Sequence, residues 1–524
     1  MTRIAHWFAG TLLASAGHLA CAAPDPSDTF VLEEATIAGI HASLRADRIN
    51  CHELVVRYLN RIAAYDKTGP AINSLVVVNE AALARADELD LVRQSGGPTG
   101  PLHCIPVIVK DNFDTIDLPT TAGSLSLEGF VPNRDAFQVR RIREAGGIVM
   151  AKSNMAEFAF SPYETVSSIL PGYTRNPYAL ARVTAGSSGG TAAAVAANFG
   201  GVGLGSDTGN SIRGPSAHQS LVGIRSTMGL TSRAGVVPLN LASDIAGPMT
   251  RSVADAAVVL EVVEGYDPDD PVTEASRQQT HRPYAEALNP KSLEGSRLGV
   301  LRWITNAETT DSAVLALFES ALSDLQASGA TLIDPLELPG LDILLESREG
   351  GCRQFKFDLN AYLAGHGDLV RVQSLDDIVQ SGGFHPSIRR RLELGQAAEV
   401  KPADNPACQA RDRFRQKLRD LVLDTMDTEG VDALVYPTWN NRPRLIGDLN
   451  TPHGDNNQLL APSTGFPAMT VPMGYIDGEL PAGLQFFGRP WNEFALIGLA
   501  YAYEQATNHR RPPASTPPLR YIIE

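Results

Sequence analysis

Three short segments of this chain concentrate the residue types that move protons and attack carbonyl carbons. The first, Pro106-Val-Ile-Val-Lys-Asp111, ends an apolar run on a lysine. Burial at that point makes a charged ammonium costly, so Lys110 would give up its proton at lower pH and act as a base. A strand-end lysine whose amine reaches water is the competing reading. The second segment, Ala185-Gly-Ser-Ser-Gly-Gly-Thr191, puts two serines in a glycine-rich loop ahead of the small-residue run Thr191 to Asn198. Backbone N–H groups at such a helix start can hold an anion or a serine oxygen, or the loop can simply cap the helix. The third, Gly205-Ser-Asp-Thr-Gly-Asn-Ser-Ile-Arg213, follows the strand-like Gly200 to Leu204 and places Ser211 in a tight turn. The N–H groups of Thr208, Gly209, Asn210 and Ser211 could converge there on one oxygen, as stabilisation of an oxyanion requires. A plain Gly-Asn turn between strands is the alternative.

Weaker signals compete with these. Gly186 to Gly190 also matches G-x-S-x-G, a nucleophile elbow centred on Ser188 that would need a late histidine such as His453 or His509. Such a serine should follow a hydrophobic strand, yet Asn176 to Thr184 contains Pro177 and lacks a strong β pattern. His103 and Cys104 are adjacent potential metal ligands without distant partners, and no CxxC spacing occurs, so no metal is expected. Asp207 and Arg213 can brace a turn as an ion pair or touch a substrate, with bracing favoured for Asp207. Trp303, Trp439 and Trp491 read as core or pocket wall.

The elements that must position these residues follow from pattern. Short apolar runs (Ser74 to Val78, Pro106 to Lys110, Gly147 to Ala151, Gly200 to Gly205, Leu298 to Trp303, Ala330 to Asp334 and Val431 to Tyr436) alternate with helical periodicity. That alternation indicates an α/β protein with a large, mostly covered sheet. Helices are expected near Glu33 to Asp47 and Cys51 to Tyr65, where Leu54, Val55, Tyr58, Leu59 and Ile62 share one face. Asp267 to Arg297 reads as a surface excursion, and Gly340 to Pro406 as a peripheral stretch of helices and turns that shapes a substrate mouth.

With 524 residues, 43% hydrophobic and 20% charged, the chain can bury a large core. Its net charge of -15 disfavours nucleic acid and anionic membrane surfaces, which are bound through clustered Lys and Arg. Residues 1–22 read as an export leader with Arg3 and His6, an apolar stretch and the Ala20-Cys21-Ala22 cleavage site. No later segment is apolar enough to span a bilayer, so the expectation is a secreted or periplasmic protein without a membrane partner. Cys51, Cys104, Cys352 and Cys408 are read as four free buried thiols, one disulfide being possible in an oxidising compartment.

Together the three segments resemble the amidase signature family over about Glu33 to Gln505. Gly247-Pro-Met-Thr-Arg251, Gly465-Phe-Pro-Ala-Met-Thr-Val-Pro-Met-Gly474 and Gly483-Leu-Gln-Phe-Phe-Gly488 also fit, as does the spacing of 24 residues between Ser187 and Ser211. The leader, Phe355 to Tyr362 and Tyr501 to Glu504 look most like secreted bacterial peptide amidases. The resemblance implies a single α/β domain over 29–510, with a central mixed sheet covered by helices on both faces, core motifs at 106–251 and 431–490, a divergent mouth at about 340–406 and a surface tail at 511–524. It implies a Ser211 nucleophile, a Ser187 relay behind a cis peptide bond and a Lys110 base. Thr208, Gly209 and Asn210 would form the oxyanion hole, and Ser188 and Arg213 would lie near the substrate.

It further implies hydrolysis of a small-molecule or peptide carboxamide by a monomer or homodimer, with no metal or organic cofactor. The other functions compatible with it are the glutaminase subunit of a tRNA-dependent amidotransferase and a non-catalytic binding protein. Three positions depart from the family pattern: Asn210, Ala185 and Cys104 each stand where glycine is usual. Asn210 is expected to be tolerated because asparagine accepts left-handed backbone.

Overall fold

Buried β-branched runs set the sheet. Val107, Ile108 and Val109 are wholly inaccessible, and their strand pairs along both edges, the arrangement in which a strand reads as a continuous apolar run. A computed structural model describes residues 30–519; the leader at 1–22 and the last five residues lie outside them. The strands are β1 (Leu75–Val78), β2 (Pro106–Lys110), β3 (Ile148–Ser153), β4 (Arg175–Asn176), β5 (Ala179–Val183), β6 (Val202–Asp207) and β7 (Val222–Arg225) in the first half. They continue as β8 (Ile245–Thr250), β9 (Arg297–Val300), β10 (Thr331–Ile333), β11 (Ala433–Pro437), β12 (Ala468–Ile476) and β13 (Leu480–Phe487). Eleven of them form one sheet in the order β1-β3-β2-β6-β8-β7-β12-β13-β11-β9-β10, while β4 and β5 pair as a separate ribbon.

The sheet is mixed. β2 runs parallel to both β3 and β6, bringing Lys110 and Asp207 to the same end, and β6, β8, β7, β12, β13 and β11 continue antiparallel. β9 and β10 then add parallel pairings. Carboxyl ends of adjacent parallel strands are where open α/β sheets gather their ligand-binding groups. The helix Gly189–Ala196 is buried along its whole length. Its small side chains let it lie close on β6: a Cβ at Gly203 would stand 2.6 Å from Thr191 Cγ2.

The expected single α/β domain with helices flanking a mixed sheet is what the chain forms. The helix Cys51–Tyr65 starts on its Asn50 cap and buries Leu54, Val55, Tyr58 and Ile62, while the preceding helix is shorter than expected, Ile37–Arg45, because Thr36 caps it. Asn176 to Thr184, read as lacking a β pattern, contains β5, which pairs with the two residues of β4 and, at Arg182, bridges Leu445. The 340–406 stretch builds four helices, Leu341–Glu346, Phe355–His366, Leu375–Ser381 and Arg389–Gln396, and much of it packs as a satellite core with Phe158 and Phe160.

The cysteine expectation is corrected. Cys51 is joined to Cys104, and Cys352 to Cys408, with Cα atoms 5.3 and 4.6 Å apart, separations a disulfide can bridge. A large core needs no staple, but the 347–354 segment has almost no regular structure of its own, and the second bond ties it to the helix Pro406–Glu429. Both sulfurs of the Cys51, His103 and Cys104 cluster are thereby spent on a disulfide and cannot serve as thiolate ligands. Beyond the helix Glu493–Thr507 the chain packs back onto the body: Arg61 donates to the carbonyls of Thr516 and Pro517, and Arg510 pairs with Glu34.

Candidate active site

Lys110 sits at the end of β2 with no solvent exposure. Its Nζ donates to Ser187 Oγ at 2.7 Å and to Ser206 Oγ at 2.9 Å, and Asn112 Nδ2 donates to the same Ser206 hydroxyl at 3.0 Å. Burial strips water from the ammonium and brings its pKa from 10.5 down to about 7, against the opposing pull of Asp207 and Asp244. A substantial share of this lysine is therefore the neutral amine near neutral pH.

Ser187 lies in the loop feeding the helix Gly189–Ala196, and the Gly186–Ser187 bond is cis. The loop is wedged against 161–164: Gly186 N donates to Pro162 O at 2.9 Å, and a Cβ on Gly186 would collide with the carbonyl oxygens of Ser161 and Glu164. Glycine is required there by close approach rather than by its φ. Left-handed backbone falls instead on Ala185 and Cys104, both at φ 63°, two of the three positions where glycine was expected. Asn210, the third, is not left-handed, so its tolerance does not rest on that property.

Ser211 follows β6 and faces a cavity of about 890 Å³ that Thr208, Gly209 and Asn210 also line. Among the described residues, none of the N–H groups of residues 208 to 211 donates to a protein acceptor. The loop's shape is set from behind by Asp207. Its carboxylate accepts from Ile212 N at 3.1 Å and pairs with Arg213 at 3.2 Å and Arg225 at 2.9 Å, all three side chains being fully buried. Burial alone would raise the Asp207 pKa, but the two guanidinium groups override it and hold it at about 2. Asp244 fixes the front of the loop by accepting from the Thr208 hydroxyl.

The structure thus brings Lys110 and Ser187 into direct contact and sets Ser211 on the adjoining cavity wall. No hydrogen bond joins the two serine hydroxyls, a contact of the kind that substrate binding commonly tightens. Ser188 and Arg213, expected near the substrate, are committed inside the protein. Ser188 Oγ donates to Ser206 O at 3.1 Å and accepts from Ser206 N at 3.3 Å, with no exposure. Arg213 spends its donors on Asp207, Gly209 O and Gln485. No imidazole reaches Ser188 among the described residues: His453 stacks on Tyr163 at 4.0 Å, and His509 faces Asp324.

Sequence reasoning missed Ser206, Asn112, Arg225 and Asp244. Ser206 alone carried a local signal, since it lies inside the third segment beside Asp207. Both polar atoms of the Asn210 side chain are buried without a protein partner.

A buried amine on a serine, beside a second serine in a turn of unpaired amides, is an arrangement suited to acyl transfer. The family model for amidases matches residues 53–497, and the chain belongs to that family. It is 34% identical to a probable amidase of Arabidopsis thaliana over 93% of each chain. It is also 34% identical to a component of the glutamyl-tRNA(Gln) amidotransferase of Symbiobacterium thermophilum, over 88% of this chain and 95% of that one. The solved peptide amidase of Stenotrophomonas maltophilia superposes with a TM-score of 0.82 at 36% identity, covering 92% of this chain and 98% of that one.

Proposed function

We propose that this amidohydrolase removes ammonia from C-terminally amidated peptides or related small carboxamides through a seryl acyl-enzyme. The observation that carries the reading is the fully buried Lys110 amine, 2.7 Å from the Oγ of Ser187 in a loop whose next residue, Ser188, donates its N–H at 3.3 Å to the carbonyl of the cavity-lining Ser211. Neutral Lys110 accepts the Ser187 proton as Ser187 takes that of Ser211, and Ser211 Oγ bonds to the amide carbon. The carbonyl oxygen, now an oxyanion, is met by the N–H groups of Thr208, Gly209 and Asn210. Return of the proton through Ser187 to the amide nitrogen accompanies C–N cleavage and release of ammonia. Water then opens the ester by the same relay.

The likeness to a peptide amidase along almost the full chain supports a self-standing enzyme. The leader read in residues 1–22 and two disulfides support a secreted or periplasmic location. Among the described residues no helix is long and apolar enough to cross a membrane. The test is ammonia release from aliphatic, aromatic and peptide C-terminal amides by wild type and Ser211→Ala. Loss of a serine nucleophile should lower the rate by roughly 10⁴-fold or more, and equal release by both proteins would remove Ser211 from the mechanism.

A further inference from the structure

The cavity that holds Ser211 is lined, away from the serine, by Arg348, Arg391, Arg411 and Arg415 against only two acids, Glu349 and Asp455. Its volume of about 890 Å³ lies toward the upper end of ligand cavities, with room for several residues of an extended substrate. Three of the four guanidinium groups have no carboxylate partner among the described residues. Arg415, half-buried, donates to Ala242 O at 2.6 Å and to Ser243 Oγ. Burial and the neighbouring Arg411 charge lower its pKa to about 10. Arg348 lies over the Phe414 ring at 5.7 Å, and Arg391 donates to Phe160 O. Arg411 is paired only with the exposed Asp412 at 2.8 Å, and also donates to Gln354 Oε1 at 2.8 Å.

Cations gathered around one cavity, two of them partly buried and two exposed, repel one another unless an anion joins them. The fold holds them there through its connections. The Cys352–Cys408 bond clamps the loop carrying Arg348 to the helix Pro406–Glu429, which carries Arg411 and Arg415. Arg415 is also linked to the catalytic end. Ser243, whose hydroxyl it grips, accepts from Arg225 through its carbonyl at 2.7 Å, and Arg225 pairs with Asp207 below the 208–211 loop.

We propose that these arginines form an anion-recognising subsite that selects amides whose acyl portion bears a carboxylate, that is, peptide amides with Asp or Glu near the amidated end. This rests on the amidase reading above and names its substrate class. For a primary amide the leaving group is ammonia, which is small, so the rest of such a substrate occupies the cavity on the acyl side. A carboxylate placed there completes charge-assisted hydrogen bonds that the protein leaves open.

The experiment compares N-acetyl-Ala-Glu-Leu-amide with its Gln isostere, which differ in charge but hardly in shape. For wild type the Glu peptide should have a kcat/KM higher by about tenfold or more at low salt, through KM. Arg415→Gln should bring the ratio toward one, and Arg348→Gln, the replacement of an exposed residue, should lower it several-fold. A wild-type ratio at or below one, or a ratio unmoved in Arg348→Gln, overturns the subsite while leaving amidase activity intact. If neither peptide is hydrolysed, it is the amidase reading that fails. Calorimetric binding of the two peptides to Ser211→Ala then decides the subsite separately: tighter binding of the Glu peptide that weakens in Ser211→Ala/Arg348→Gln supports it, and equal binding refutes it.

Discussion

Replacing Lys110 by methionine should abolish activity and make the protein more stable. A pKa brought from 10.5 to about 7 by burial means that, at neutral pH and below, folding disfavours the charged lysine by about 5 kcal/mol relative to the unfolded chain. Methionine has similar length, no charge to desolvate and a flexible apolar stem suited to a buried slot. Against this gain stands the loss of a donor to Ser187 Oγ and Ser206 Oγ. Ser206 keeps its bond from Asn112, so the main penalty is one buried hydroxyl left unsatisfied, about 1–3 kcal/mol. The balance is a stabilisation of about 2–4 kcal/mol. With about 2.1 cal/mol/K of unfolding entropy per residue, a cooperative unit of roughly 500 residues should gain about 2–4 °C in Tm.

The pH dependence makes the argument specific. Between about 7 and 10.5 the unfolded chain holds a proton on Lys110 that the folded chain lacks. Raising the pH through that window withdraws the unfolded state's preference and stabilises wild type. Below about 7 both states hold the proton and the penalty is complete. The Tm advantage of Lys110→Met over wild type should therefore be largest at or below pH 7 and fade toward pH 10.5, read by calorimetric melts of both proteins in matched buffers. A variant less stable than wild type at pH 7, or an advantage independent of pH, would refute the reasoning. It would mean that Asp207 and Asp244 hold the lysine charged.

The same amine should govern the kinetics: kcat/KM for a neutral amide should fall about tenfold per pH unit below an apparent pKa near 7, and an acid limb near 4 or 5 would hand control to a carboxylate. Asp207→Asn should cost roughly 3–5 kcal/mol in denaturant melts, because it leaves the buried Arg213 and Arg225 without their shared counter-charge; a loss under about 1 kcal/mol would show that the network is not what shapes the 208–211 loop.

How much of this was legible in the sequence depends on how local the cause is. Lys110 could be read because the β-branched run before it forces a buried strand, and a buried strand fixes the fate of its terminal lysine. The two serine segments could be read because a loop that approaches other backbone as closely as Gly186 approaches Ser161 needs glycine, and glycine density shows in sequence. The brace was hidden. Asp207 meets Arg225 across 18 residues, β7 was not recognised as a strand, and nothing around Arg225 distinguishes a buried guanidinium from a surface one. The disulfides were hidden for a related reason. Their partners are 53 and 56 residues apart, and a core-size argument says nothing about peripheral loops that lack a core of their own.

That contrast bears on where new specificity can arise in this fold. The amine, the serines and the amide row are held by one sheet and one helix, in which a displaced strand disturbs several buried charges at once. The mouth is different: Arg348, Arg391 and Arg411 come from three separate segments outside that sheet, and the segment carrying Arg348 is tied down chiefly by one sulfur–sulfur bond. Substitutions there alter charge at the substrate end while leaving the Lys110–Ser187 contact and the 208–211 loop in place. Changes of substrate class should accordingly concentrate in the 340–415 region, and those that also remove Cys352 or Cys408 should loosen selectivity before they lower the rate of bond cleavage.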